Sequence, residues 1–144
     1  MTAPTVLPGT KLLILVGNGG APEAFAQPCG LTTRNFELAA STNNTLIPDC
    51  DDPEAPAWEA KDVNALSATA SGQGVMAVEA FDTWNDWFTS AAARNARIML
   101  DDPSLGYYQG SFILSSLKFG GQRGQKITVD VTIVNNGAVT WVPA

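Results

Sequence analysis

Apolar and polar residues alternate most regularly in residues 125–134, QKITVDVTIV, where Ile127, Val129, Val131 and Ile133 are separated by Lys126, Thr128, Asp130 and Thr132. A two-residue period puts one set on each face of an extended chain, so this segment predicts a half-buried β-strand. KLLILVGN, residues 11–18, is a short continuous apolar run that ends at the glycines from Gly17 to Gly20, and it predicts a buried strand. EAFAQ, bracketed by Pro22 and Pro28, and LTTRNFELAA, carried by Leu31, Phe36 and Leu38, predict two more. DVNALSATASGQG reads as a strand of small residues on both faces, followed later by Ala96–Leu100 and GYYQGSFILSSLKF. GGQRG is a hairpin connection rich in residues that tolerate positive φ, and NNG turns the chain into a last short strand, AVTWVP.

One stretch breaks this pattern. FDTWNDWF holds two Trp and two Phe in eight positions. At the helical period, Ala77, Phe81, Trp84, Phe88 and Ala91 fall within about 40° of one line, with Trp87 at the edge of the stripe. Glu79, Asp82 and Asp86 occupy the other side, biased toward the helix start where the dipole favours them. The spacing predicts an amphipathic helix over residues 76–91 with Phe81, Trp84 and Phe88 as its core face. Each of these would contribute roughly 1.5–3 kcal/mol on full burial. Trp87 is left to solvent or to a partner. A sugar platform would want coplanar aromatics on a loop or sheet, so the cluster reads as core.

Residues 41–59, STNNTLIPDCDDPEAPAWE, hold three prolines and five of the fourteen acids. They predict a long loop with at most a brief strand at Thr45–Ile47. Leu46, Ile47 and Trp58 argue against simple disorder, because such side chains seek a partner surface. The first ten residues, with Pro4 and Pro8, read as an extended arm. The sum is a mainly β domain, a sandwich with one helix laid on its side, spanning residues 1–144 as a single unit.

Composition narrows the function. The net charge is −6 with only eight Lys and Arg, scattered, so no basic stripe exists to neutralise phosphates and nucleic-acid binding is not expected. With no histidine, Ser-His-Asp triads, Cys-His pairs and His metal sites within this chain are excluded. Cys29 and Cys50 have no His to activate them and do not make a disulfide-dense scaffold; core thiols or a close pair are both open. KLLILV is too short for a signal segment or a bilayer span, and a soluble product made in the cytoplasm is expected.

Motifs that suggest chemistry fail on spacing. VGNGGAP follows a strand like a dinucleotide fingerprint, but Pro22 takes the third glycine position and leaves no room for a crossover helix. GGQRGQKI has Ile127 where a phosphate loop needs a magnesium-binding hydroxyl. Asp49, Asp51, Asp52 and Glu54 lack the glycine and the final glutamate of a calcium loop, so a solvated acidic loop, or one meeting a neighbour's Lys or Arg, is the better reading. Glu79, Asp82 and Asp86 lie opposite the apolar stripe, away from the burial that a general acid needs.

Several strings together, CGLTTRNFEL, PDCDDPEAPAW, SATASGQGVMAVEAFDTWNDWF, GYYQGSFILSSLKFGGQRGQKITVDVTI and NNGAVTWVPA, resemble the tail tube (major tail) proteins of long-tailed bacteriophages and prophages. The likeness runs from about Cys29 to Ala144 and is one of order and punctuation, with no catalytic signature. It implies a β-sandwich or partial barrel with a flanking helix, six copies to a ring, and rings stacked into a hollow virion tail tube for genome passage. It implies strands that complete a large barrel between subunits around a negatively charged channel. Carried onto this chain, the wall strand is Val63–Gly74, with Ser67, Thr69, Ser71 and Gln73 facing the lumen. Residues 41–59 correspond to the loop reaching an adjacent ring, with Leu46, Ile47, Asp49, Asp51, Asp52, Glu54 and Trp58. The first ten residues and residues 138–144 correspond to arms that bind neighbours. Partners implied are further copies and other tail proteins (tape measure, terminator, distal tail), with DNA passing unbound, no membrane, no cofactor and no metal, after assembly in the host cytoplasm.

Physical grounds agree with this. A small β domain must manage its unpaired strand edges, and closing a sheet around a ring removes them. Head-to-tail contacts between rings continue indefinitely. Two rival readings have tests of their own. A virion-surface or secreted β-sandwich binding glycans or a receptor would use Trp58 or Trp87, and a hydrolase built on Asp and Glu would need a cleft with two carboxylates.

Overall fold

The computed structural model describes residues 3–18 and 23–144. A 3-10 turn at Gly9–Lys11 leads into strands β1 (Leu12–Gly17), β2 (Phe25–Ala26), β3 (Leu31–Ile47) and β4 (Trp58–Val75). Helix α1 (Val78–Ser90) precedes β5 (Arg94–Leu100), β6 (Tyr107–Gly120) and β7 (Thr128–Val142). The strands form one seven-stranded sheet in the order β2-β1-β5-β6-β7-β4-β3. β1 pairs with β2 and β5, β5 with β6, and β7 with β6 and β4, all antiparallel. Two compact units result. The main unit holds the described residues up to Glu37 together with Ala68–Ala144, and the hairpin unit is Leu38–Ser67.

The main unit is built on alternation. Ile14 and Val16 on β1, Ala96 and Ile98 on β5, Val129, Val131 and Ile133 on β7, and Ala68 and Ala70 on β4 all point to one buried face. Phe112 and Leu114 join them from β6, and Leu31 from the start of β3. The strongest periodic segment therefore holds, except that Ile127 precedes β7 and stays exposed. The expected sandwich is a single sheet whose ends approach each other. Arg34 on β3 donates through Nη1 to the Leu12 carbonyl of β1 at 3.4 Å and through Nη2 to the Leu31 carbonyl at 3.1 Å. Phe36 on β3 likewise meets Tyr108 on β6 at 5.2 Å between ring centroids, across the intervening β7 and β4. This is the geometry of a partial barrel.

Helix α1 forms where expected but is rotated. Its buried residues are Ala80, Trp84 and Trp87. Trp84 and Trp87 are 2% and 1% exposed, and their rings stack at 6.1 Å. Phe81 and Phe88, assigned to the core face, are 36% and 51% exposed. The apolar stripe is wider than the contact face, and hydrophobicity alone did not locate its centre. Two features turn the helix toward Trp87. The small Ala80 side chain allows close approach, and the indole Nε1 of Trp87 donates to the Ala92 carbonyl at 3.1 Å, so the ring is buried without an orphaned N–H. Phe81 lies on the flank against Phe119, 5.9 Å between centroids. The helix ends at Ala91, in the left-handed region at φ 53°, with its N–H bonded to the Phe88 carbonyl.

Three boundaries are corrected. The loop expected over 41–59 is confined to residues 48–57, because β3 continues to Ile47 and β4 begins at Trp58. All three prolines of the stretch fall inside this shorter loop, as their missing N–H requires. NNG makes no turn: β7 runs through it, with a register shift opposite Gly110 and Phe112. Gly137 takes φ 105° in this bulge, and Asn135 Nδ2 donates to its carbonyl at 2.9 Å. The proposed C-terminal arm over 138–144 is therefore mostly sheet, with Val139 to Val142 paired to β6 and Trp141 edge-on to Tyr108 at 4.8 Å. The hairpin reading of GGQRG holds, closed by Gln125 N–H to the Gln122 carbonyl with Gly124 at φ 85°. The turn assigned to VGNGGAP lies largely outside the described residues.

Candidate assembly surfaces

Strand β4 of the main unit has two faces of different chemistry. Ala68, Ala70 and Gly72 are buried, while Thr69 and Ser71 are half-buried and Gln73 is exposed. The alternation places the last three on the sheet face away from the core. Antiparallel pairing extends that face onto β7, setting Thr69 opposite Val134, Ser71 opposite Thr132, and Gln73 opposite Asp130. On β6, Ile113 stands opposite Val134 and Lys118 opposite Asp130, and Ser115 Oγ donates to the Thr132 carbonyl at 3.1 Å. The result is a patch of hydroxyls and one amide, with apolar Ile113 and Val134 at one end and a single acid and base facing each other at the other. Ser67, the fourth residue assigned to this face, belongs to the hairpin unit, where its hydroxyl donates to the Ala39 carbonyl at 3.5 Å. Asn135 went unnoticed in the sequence. Its side-chain oxygen accepts the Ala68 N–H at 3.0 Å while its amide shapes the bulge, so it joins β4 to β7 where the regular ladder stops.

The hairpin unit has no core of its own. None of its residues is buried, and only Ala55 and Ala60 are half-buried. Leu46, Ile47, Trp58, Val63 and Leu66 are all exposed, Trp58 at 85%. The loop itself is ordered by polar turns: Asp51 N–H donates to Asp49 Oδ1 at 2.9 Å and Ala55 N–H to the Asp52 carbonyl at 3.1 Å. Asp49, Asp51, Asp52 and Glu54 are exposed. No group of three or more Cys, Asp or Glu among the described residues is arranged to hold a metal ion. Residues from Ala3 to Pro8 form no regular element and are mostly exposed, Val6 among them.

The carboxylates that could work as an acid–base pair are committed elsewhere. A cleft of about 210 Å³ brings Asp101 and Asp102 together beside Tyr107. Asp101 pairs with Lys11 at 3.6 Å. Asp102 accepts from the Ser104 hydroxyl at 2.5 Å and from its N–H at 2.8 Å, and these bonds hold its carboxyl below the usual value. Asp102 thus favours the ionised form, the opposite of a general acid. A second cleft, of about 390 Å³, has one carboxylate, Glu79, with Arg94 and Cys29 in its wall. Cys29 and Cys50 are free and exposed, so neither is a core thiol.

The architecture has counterparts among solved structures. A chain from the tail of an empty gene transfer agent particle, refined with C6 symmetry, superposes with a TM-score of 0.79 at 19% identity, covering 95% of this chain and 99% of that one. The SPP1 tail tube matches with a TM-score of 0.63 at 7% identity, over 96% of this chain and 81% of the other. The cap of an anti-feeding prophage tube gives 0.67 at 11% identity, over 100% and 95%. At these identities the likeness is one of fold. No curated protein matches the chain. The family model described as phage tail tube protein matches residues 6–141, and the chain belongs to that family.

Proposed function

We propose that six copies of this chain close into a ring, and that rings stack into the hollow tube of a virion tail, assembled in the host cytoplasm. The protein works as a structural subunit with no catalytic step. The observation that carries this reading is the hairpin unit. A two-stranded ribbon with exposed Leu46, Ile47, Trp58, Val63 and Leu66 and no core is marginal in water, and burial against other protein is what stabilises it. The C6 symmetry of the similar gene transfer agent tail supports six-fold closure.

In this reading the β4 face with Thr69, Ser71 and Gln73, continued by Thr132 on β7, lines the channel, and Ser67 of the hairpin unit is a further channel residue. Its hydroxyls offer DNA no cationic anchor apart from Lys118, which stands opposite Asp130. The negative character of the channel comes from the net charge of −6 per copy, screened beyond about 8 Å at physiological salt. Residues 48–57, with Leu46, Ile47 and Trp58, reach the adjacent ring, and the first ten residues bind a neighbour. Tape measure, terminator and distal tail proteins are the further partners. Electron micrographs of the concentrated wild-type protein test this: rings and tubes about a six-fold axis are expected, and a monomer at every concentration would refute it. The rival glycan-binding reading is weakened because Trp87, one of its two platforms, is buried.

A further inference from the structure

Arg97 lies on β5, on the sheet face away from the core, between two aromatic rings. Its guanidinium carbon is 3.9 Å from the Phe25 centroid and 4.6 Å from the Tyr107 centroid. Stacking of this kind fixes the orientation of a weakly hydrated cation without using its N–H donors. Its Nε is buried with no acceptor. Across the ladder stand Leu15 on β1 and Gln109 on β6, neither of them an acid. Glu23 reaches the same face but accepts from Asn95 Nδ2, at 2.8 Å. Among the described residues no carboxylate pairs with Arg97. The terminal nitrogens of this half-buried guanidinium, held in place by the two rings and without an anion, are the donors left open to a carboxylate.

The chain carries the complementary groups in surplus. On the 48–57 loop, the Asp51, Asp52 and Glu54 carboxylates are exposed, and none has a cation partner among the described residues. The other bases lack such a clamp. Arg34 commits both terminal nitrogens to carbonyls, Arg94 lines a cleft with Glu79, and Lys11 pairs with Asp101. Lys118 stands opposite Asp130 and Lys61 belongs to the acidic hairpin itself, while Arg123 and Lys126 are exposed and held by no ring among the described residues. Arg97 alone is clamped between rings among the described residues.

We propose that Arg97, gripped by Phe25 and Tyr107, is the seat for an Asp51 or Asp52 carboxylate of a second copy of this chain. The proposal rests on the tube reading and supplies its head-to-tail contact with a polarity. One copy gives the acid and the next gives the base, two different patches that cannot close on themselves and so propagate. A charged pair at such a contact sets register and excludes wrong partners.

The test uses charge reversal in full-length protein, with tube formation followed by sedimentation and electron microscopy and folding by circular dichroism. Arg97→Glu and Asp51→Lys/Asp52→Lys chains each lose assembly by about tenfold or more, the scale of a close interfacial charge pair. Mixing the two variants restores tubes, because each then meets an opposite charge on its neighbour. The loop double variant keeps the argument testable if Arg97→Glu does not fold, since its positions are exposed. Normal tubes from either folded variant overturn the proposal. So does a mixture that fails to assemble while a single chain carrying all three substitutions succeeds, which would place the pair within one molecule. Normal Arg97→Glu tubes with altered retention of DNA would reassign the guanidinium to phosphates. Wild-type protein that never assembles refutes the tube reading itself; wild-type tubes with indifferent variants refute this contact alone.

Discussion

Strand β4 passes through two environments. Over Ala68–Val75 it alternates buried Ala68, Ala70 and Gly72 with outward Thr69, Ser71 and Gln73; over Trp58–Ser67 nothing is buried at all. The first half belongs to a unit with a packed interior of Trp84, Trp87, Phe112, Ile14, Ile98 and Ile133. The second belongs to a ribbon held by its backbone ladder, with apolar side chains exposed. Hydrogen bonds exchanged with water add little net stability, so the packed interior favours the main unit, whereas the hairpin unit has no buried side chain to draw on. Under the function proposed above, the same strand serves folding at one end and association at the other.

The sharpest way to break this contrast is to truncate one tryptophan in each unit. Trp84→Ala opens the core, and urea denaturation should show a loss of about 3–5 kcal/mol. Trp58→Ala should leave monomer stability within about 0.5 kcal/mol of wild type while tube formation falls. Equal losses from both would erase the distinction. Next in size is Asn135→Ala, which leaves the Ala68 N–H without its acceptor at the point where the main unit ends. A cost of about 1–3 kcal/mol is expected by the same assay. Ala91→Gly relieves the left-handed backbone at the helix end, and thermal unfolding should register a gain of about 0.5 kcal/mol, since the strain removed slightly exceeds the added freedom of the unfolded chain.

The smallest effect concerns pH. The Ser104 bonds depress the Asp102 carboxyl in the folded state. Their stabilisation is therefore present above the unfolded value and is lost as pH falls through the folded one. Ser104→Ala should raise the Asp102 titration toward that of an ordinary carboxylate in an NMR pH series, with no change in assembly at neutral pH. An unmoved titration would show that Ser104 is not its cause.

Period-two alternation made the main unit legible. Val129, Val131 and Ile133 are where the pattern placed them, and the GGQRG connection is the turn its glycines dictate. The hairpin unit was hidden for the same physical reason that makes it interesting. A strand exposed on both faces, such as Asn43-Asn44-Thr45, has no apolar side to alternate, so its extension past Ala40 left no signal. The helix was legible in place but not in rotation, because Phe81 and Phe88 are as apolar as Trp87 while only Trp87 has a carbonyl waiting for its N–H. NNG reads as a turn by composition; here it is a bulge, a distinction decided by the pairing of β7 with β6. Among the assigned wall residues, Thr69, Ser71 and Gln73 share a face, whereas Ser67 falls in the other unit. Arg97 gave no sequence signal, since its clamp comes from two strands distant in the chain.

Hydrogen–deuterium exchange on the protein before and after assembly tests the central claim most directly. Amides of residues 38–67 should exchange fast in the isolated chain and become about a hundredfold or more slower in the tube, while core amides of β5, β6 and β7 stay protected in both. A hairpin unit as protected in the lone monomer as the core, or unprotected in assembled tubes, would contradict it.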